Sequence, residues 1–233
     1  MQILKLFLLF VLSSISYVSQ SRPVSTVKYK VAPYLFPFSN NYIKHFTIEI
    51  VELRYFEDAN PEVIQNINSK LKHEIKKLEK KIVECREASI PHPWGVEFKF
   101  EKIIFSSEYL SIIFGGMNVC AGNPIFDKTA YIFSRTTGEL IEPLAITTKI
   151  LRRLGHSPPK LTYGKLEFDE KTINLMISDS KIFLDSYNEK CDFVLKNTIY
   201  KIWVDKNFLF LLPEFRRPMT SCYEEYVIKI AKK

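Results

Sequence analysis

Residues 60 to 85 read Asn60-Pro61 followed by EVIQNINSKLKHEIKKLEKKIVEC. Asn60 is suited to cap a helix, and Pro61 to open one at its first position, where no backbone N–H is needed. Ile64, Ile67, Leu71, Ile75, Leu78, Ile82 and Cys85 recur at spacings of three and four, with lysines and glutamates filling much of the rest. The pattern predicts one amphipathic helix of about seven turns. Just upstream, Phe46, Ile48 and Ile50 alternate, and then Val51, Leu53 and Tyr55 alternate in the opposite phase. A period of two that slips by one residue marks a bulged or twisted strand over Lys44–Phe56. A strand running straight into a long helix, in a chain otherwise dominated by strand patterns, places that helix across a sheet.

The rest of the chain supplies the sheet. His92, Pro93, Trp94 and Gly95 make a turn, and Val96–Phe105 and Glu108–Phe114 read as an antiparallel hairpin joined by Ser106 and Ser107. Gly115, Gly116 and Gly122 cluster about Cys120 as a loop, and Thr129–Ser134 reads as a strand. A shorter helix over Ala145–Leu154 ends at Gly155, ahead of Pro158 and Pro159. Strands are then expected at Leu161–Phe168, Ile173–Ile177, Ile182–Leu184, Thr198–Val204, Phe208–Leu212 and Tyr226–Ile230. The expected fold is α+β: a mainly antiparallel sheet with one long amphipathic helix and one shorter helix packed on it. Residues 44–233 form one domain in this reading, with residues 155–160 as the alternative boundary.

The N-terminus begins with Lys5 ahead of the apolar run Leu6–Leu12, followed by small and polar residues to Ser21. That order is a secretory signal over residues 1–20, with cleavage between 16 and 21. A bilayer-spanning anchor needs about 20 apolar residues, more than this run has. Residues 21–43, with Pro23, Pro33 and Pro37, form an extended lead-in. An exported destination, periplasmic or extracellular, turns the four cysteines into disulfides. Cys85, Cys120, Cys191 and Cys222 allow three pairings. Cys85 faces the core at the end of the long helix, above the hairpin that leads to Cys120; Cys191 and Cys222 flank the hairpin of Thr198–Leu212. The expected bridges are therefore Cys85–Cys120 and Cys191–Cys222.

No constellation in the sequence asks for catalysis. His45, His73, His92 and His156 lie in separate segments, and no cysteine pair has the short spacing of a metal site. Motifs of serine hydrolases, zinc peptidases and phosphate-binding loops are missing, so neither an enzyme nor a metal or cofactor is expected. The net charge is +7 and stays basic once Lys5 leaves with the signal. Lys76, Lys77, Lys80 and Lys81 on the long helix, Lys149, Arg152 and Arg153 on the short one, and Arg216 and Arg217 in a late loop would form an anion-binding face if they converged. Nucleic acid is not the expected anion for an exported chain without an RNA-binding motif.

Four stretches carry a resemblance: RYFEDANPEVIQNINSKL at Arg54–Leu71, EYLSIIFGG at Glu108–Gly116, GNPIFDKTAYIFSRTTGEL at Gly122–Leu140, and TIYKIWVDKNFLFLLP at Thr198–Pro213. Together they resemble a family of exported bacterial domains of unknown function. These domains are found as ectodomains of lysozyme-responsive anti-sigma factors and ahead of some peptidoglycan deacetylases. Asn123 stands where that family usually has His, and Ser134 where an Asp commonly follows the aromatic strand. The resemblance implies a noncatalytic envelope recognition module, with Asn123 in its loop, binding an envelope polymer or a protein partner. Its alternative implication is a lysozyme-binding inhibitor or sensor, for which an acidic patch near Gly115–Pro124 would be the mark; an enzyme of unrecognised type is the third reading.

Overall fold

The structure, a computed structural model, describes residues 26–36, 46–89, 92, 94–120, 124–185, 187–214 and 222–230. The secretory signal read at 1–20 and much of the lead-in at 21–43 lie outside them.

The chain is α+β, as expected, but it builds two five-stranded sheets rather than one. The first runs in chain order through β1 (Val27–Pro33), β2 (Phe46–Phe56), β3 (Gly95–Phe105), β4 (Tyr109–Val119) and β5 (Ile125–Ser134). The second holds β6 (Lys160–Thr162), β7 (Lys165–Glu167), β8 (Ile199–Val204), β9 (Phe208–Glu214) and β10 (Tyr226–Lys229), in reversed order. The first sheet is also mixed. β2 and β3 pair in parallel over Phe46–Ile48, while every other pairing in the two sheets is antiparallel. A parallel neighbour requires a crossover, and the helical segment after β2 provides it.

That helical segment is two helices, not one: α1 (Pro61–Lys76) and α2 (Leu78–Ser89), separated at Lys77. Val63, Ile67, Leu71 and Ile75 are buried at steps of four, which carries the stripe round the helix by about 40° per step. The step of three from Ile75 to Leu78 falls at the break and swings the stripe back, so that Leu78, Ile82 and Cys85 again face inward. Asn60 accepts from Val63 N–H at 2.9 Å, as its capping role requires.

The shorter helix is α3 (Pro143–Arg153), but another stands where strands were expected. α4 spans Glu170–Phe183 in place of Ile173–Ile177 and Ile182–Leu184. Ile173, Leu175 and Ile177 alternate and so mimic a strand, whereas the residues buried in the fold are Thr172, Ile173, Met176 and Ser180, which share one helical face. Asp169 caps the helix by accepting from Thr172 N–H at 2.8 Å. A single turn, α5 (Asp192–Leu195), precedes β8.

Side-chain alternation stacks these elements in four layers. Leu110, Ile112 and Phe114 of β4 join Ile67, Leu71, Ile75 and Ile82 in the core beneath α1 and α2. Ile113, pointing the other way, meets Trp203 and Leu212 between the sheets. Tyr200, Ile202 and Leu211 face the far side and pack with Ile146, Ile150, Ile173 and Met176 under α3 and α4.

Unpaired strand positions are closed by side chains that stand in for a neighbouring strand. The amide of Asn68 accepts from Leu53 N–H and donates to Leu53 C=O, both at 2.8 Å. On the outer side of β10, Ser180 accepts from Val227 N–H at 3.0 Å and Asp179 from Lys229 N–H at 2.8 Å. The edge is thereby covered by α4 and withdrawn from strand addition.

Candidate functional site

The residues nominated from sequence do not form one face. Lys76, Lys77, Lys80 and Lys81 are exposed on α1 and α2, over the first sheet. Lys77 pairs with Glu74 at 2.5 Å and Lys80 with Glu84 at 3.5 Å, along the helix itself. Lys149, Arg152 and Arg153 sit on α3, over the second core. Glu108 takes both Lys149 and Arg153, and the Lys149 ammonium holds its carboxyl below the usual carboxylate range. Asn123, Arg216 and Arg217 lie outside the described residues. The cysteines pair as Cys85–Cys120 and Cys191–Cys222, so that α2 is tied to the end of β4 and α5 to the segment before β10.

A different place has the shape of a site. The β6–β7 hairpin, the turn α5 and the facing ends of β8 and β9 enclose an open groove of about 890 Å³. Tyr163 and Gly164 form the two-residue hairpin turn, with φ of 50° and 76°. Two positive φ values match the right-handed twist of the flanking strands, and glycine takes the second at no steric cost. The turn projects Tyr163 so that it is 96% exposed on one rim, and Phe193, 65% exposed, stands on α5 among the other lining residues. Isolated surface aromatics need no explanation; two lining one groove do.

The wall of the groove is anchored, and three of its four charged side chains are ion-paired. Cys191, immediately before α5, is bridged to Cys222; the Tyr200 hydroxyl donates to Leu195 C=O at 2.6 Å, and Asp192 accepts from the Tyr187 hydroxyl at 2.5 Å. Burial pushes both hydroxyls well above the ordinary tyrosine pKa, so they remain donors. Glu214 pairs with Lys165 and, at 3.3 Å, with Lys201, whose ammonium also meets Asp127 of β5. Glu167 accepts from the Thr162 hydroxyl at 2.8 Å, and Lys196 pairs with Glu170 at 2.5 Å. Thr198 on the floor donates to Glu214 C=O at 2.5 Å.

This groove was not legible as a site in sequence. Leu161–Phe168 alternates well enough to pass for one strand, although the parity of Leu161 and Tyr163 is opposite to that of Leu166 and Phe168, with Tyr163-Gly164 at the change. That phase change was the available signal. Phe193 gave none, because its exposure depends on how α5 is anchored.

The surface beside Gly115 and Gly116 answers the question of an acidic patch. Glu97, Glu101 and Asp127 are interleaved there with Lys99 and Lys128, and Phe126 and Tyr223 complete the wall. Glu97 pairs with Lys99 at 2.9 Å, and Lys128 bridges Glu101 at 2.9 Å and Glu225 at 2.5 Å. Lys102 also meets Glu225 at 3.8 Å and Lys201 meets Asp127, so the four carboxylates here are matched by four ammoniums.

No protein-family model matches the sequence, and no curated protein does. Among solved structures, the chain is similar to a member of the DUF3298 family from Bacteroides fragilis, at 9% identity and a TM-score of 0.42, covering 88% of this chain and 90% of that one. A likeness of that size carries no functional argument. Among the described residues, no helix is long and apolar enough to cross a membrane.

Proposed function

We propose that this is an exported, noncatalytic recognition module that binds a polymer of the cell envelope along the groove between the β6–β7 hairpin and α5. The observation that carries the reading is the placement of Tyr163 and Phe193, both largely exposed, in one groove whose α5 wall is anchored by the Cys191–Cys222 bridge and the Tyr200 hydrogen bond. Binding sites characteristically combine aromatic surface with a few fixed polar groups, and this groove has both. Its carboxylates are engaged in structure: Glu214 holds Lys165 and Lys201, and Glu167 holds Thr162. The two disulfides support work in an oxidising compartment. A lysozyme-binding role, the alternative, draws no support from the charge-balanced surface beside Gly115 and Gly116.

The test is co-sedimentation of the mature protein with insoluble envelope polymer, comparing wild type with the double variant Tyr163→Ala, Phe193→Ala. Wild type should sediment and the variant should stay in solution. Equal sedimentation of the two, or none by wild type, contradicts the reading.

A further inference from the structure

We infer that the ligand of this groove is an uncharged glycan strand, an inference that rests on the binding role proposed above. The argument begins with charge. Lys165, Glu167, Lys196 and Glu214 are the charged residues that line the groove. Each is already engaged within the chain, by Glu214, Thr162, Glu170 and the pair of Lys165 and Lys201 respectively. An anionic polymer would have to pull Lys165 or Lys196 away from its carboxylate, leaving that carboxylate without its partner. A cationic one would find Glu214 already holding two ammoniums and would be left with Glu167 alone, whose carboxylate accepts from the Thr162 hydroxyl. The two ammoniums and two carboxylates of the lining balance, neither ammonium is free for an anion, and one carboxylate at most is open to a cation, so the electrostatics favour a ligand with no formal charge.

The apolar surface narrows the class further. Tyr163 and Phe193 share the lining with six polar or charged side chains, Lys165, Glu167, Lys196, Asn197, Thr198 and Glu214, which is a poor match to the dry centre of a protein interface. A sugar ring has the complementary pattern, with C–H groups on its flat faces and hydroxyls around its edge. Its faces can pack on the two rings, and its hydroxyls can reach the Asn197 amide, for which no intramolecular side-chain hydrogen bond is found among the described residues. The rim does not have to be ordered on binding. The Cys191–Cys222 bridge and the Tyr200 and Tyr187 hydrogen bonds already hold α5 in place, which reduces the entropic cost of association.

Titration calorimetry of the mature protein with neutral hexasaccharides of glucose, mannose and N-acetylglucosamine, and with polygalacturonate as an anionic counterpart, tests the inference. At least one neutral hexasaccharide should bind, with a Kd that changes less than about twofold between low and high salt, since no exposed ion pair forms. Tyr163→Ala and Phe193→Ala should each weaken it at least about tenfold, as central aromatic anchors do, and Tyr163→Phe should retain most of the affinity. Melting temperatures measured alongside separate lost binding from lost folding. Binding of polygalacturonate alone, with steep salt dependence, overturns the inference. So does a result in which no neutral glycan binds while envelope polymer is still captured in a manner that depends on Tyr163 and Phe193; that outcome leaves the groove as the binding site and refutes only its ligand class. Capture that is indifferent to both rings refutes the two readings together.

Discussion

The hydroxyl of Ser111 in β4 donates to the carbonyl of Val204 in β8 at 3.0 Å and accepts from the N–H of the same residue at 3.3 Å. One buried side chain of the first sheet thus satisfies both backbone groups of a residue in the second, and does for β8 what a further strand would do. Ser111→Ala leaves that N–H and C=O buried without a partner and should cost about 1–3 kcal/mol. Urea unfolding measures it; an unchanged midpoint would show that the link between the sheets carries no energy.

Gly115 and Gly116 answer to different neighbours, which gives a graded prediction. A Cβ at Gly116 would stand 1.9 Å from the Glu97 backbone carbonyl, whereas one at Gly115 would meet the Glu101 carboxylate, which can turn away. Gly116→Ala should therefore cost about 1–3 kcal/mol, in the range of overpacked sites, and Gly115→Ala less. The price of the second is the Glu101–Lys128 pair, so Gly115→Ala should lose its cost when Glu101 is already Ala. Thermal unfolding of the single and double variants decides between these outcomes, and equal costs at the two glycines would contradict the contact geometry.

How much of this could be read beforehand follows from the range of each interaction. Helix α1 was legible because Asn60, Pro61 and the apolar stripe are local signals, and the disulfide partners because Cys191 and Cys222 flank one hairpin while the stripe turns Cys85 toward the strands that lead to Cys120. The break at Lys77 was not, since spacings of three and four are both helical and only the packing of Ile75 and Leu78 tells them apart. Helix α4 was misread because alternation and helical period coexist in Ile173–Ile177. The basic residues were nominated by charge alone. Charge in sequence does not say which layer a helix covers, nor that Glu108 would take Lys149 and Arg153.

Acid should destabilise the fold through identifiable carboxylates. The hydrogen bonds of Thr172 hold Asp169 below its ordinary range, and Lys149 does the same to Glu108. A carboxylate with a depressed folded pKa contributes stability that is present above its unfolded pKa and lost as pH falls through the folded value. Stability should be flat above about pH 5 and fall below about pH 4. Asp169→Asn keeps a capping oxygen but cannot titrate, so its denaturation midpoint should fall less steeply over the acid range. Parallel curves for the two proteins would remove Asp169 from the account.

The two disulfides should separate in their effects on binding. Replacing either pair by serine should cost about 2–5 kcal/mol of stability. Loss of Cys191–Cys222 frees the start of α5 and should weaken polymer binding as well, whereas loss of Cys85–Cys120, at the end of α2, should leave affinity unchanged in the molecules that remain folded. Binding isotherms below the melting temperature of each variant test this, and equal losses of affinity would mean that α5 does not set the rim.

The location of the site is tested most directly by nuclear magnetic resonance of isotope-labelled mature protein, titrated with soluble fragments of envelope polymer. The account predicts that amide shifts concentrate at Tyr163, Gly164, Phe193, Lys196 and Asn197, around the groove. Shifts confined instead to Lys76, Lys77, Lys80 and Lys81 on the outer face of α1 and α2 would contradict it and return the binding role to the basic helix.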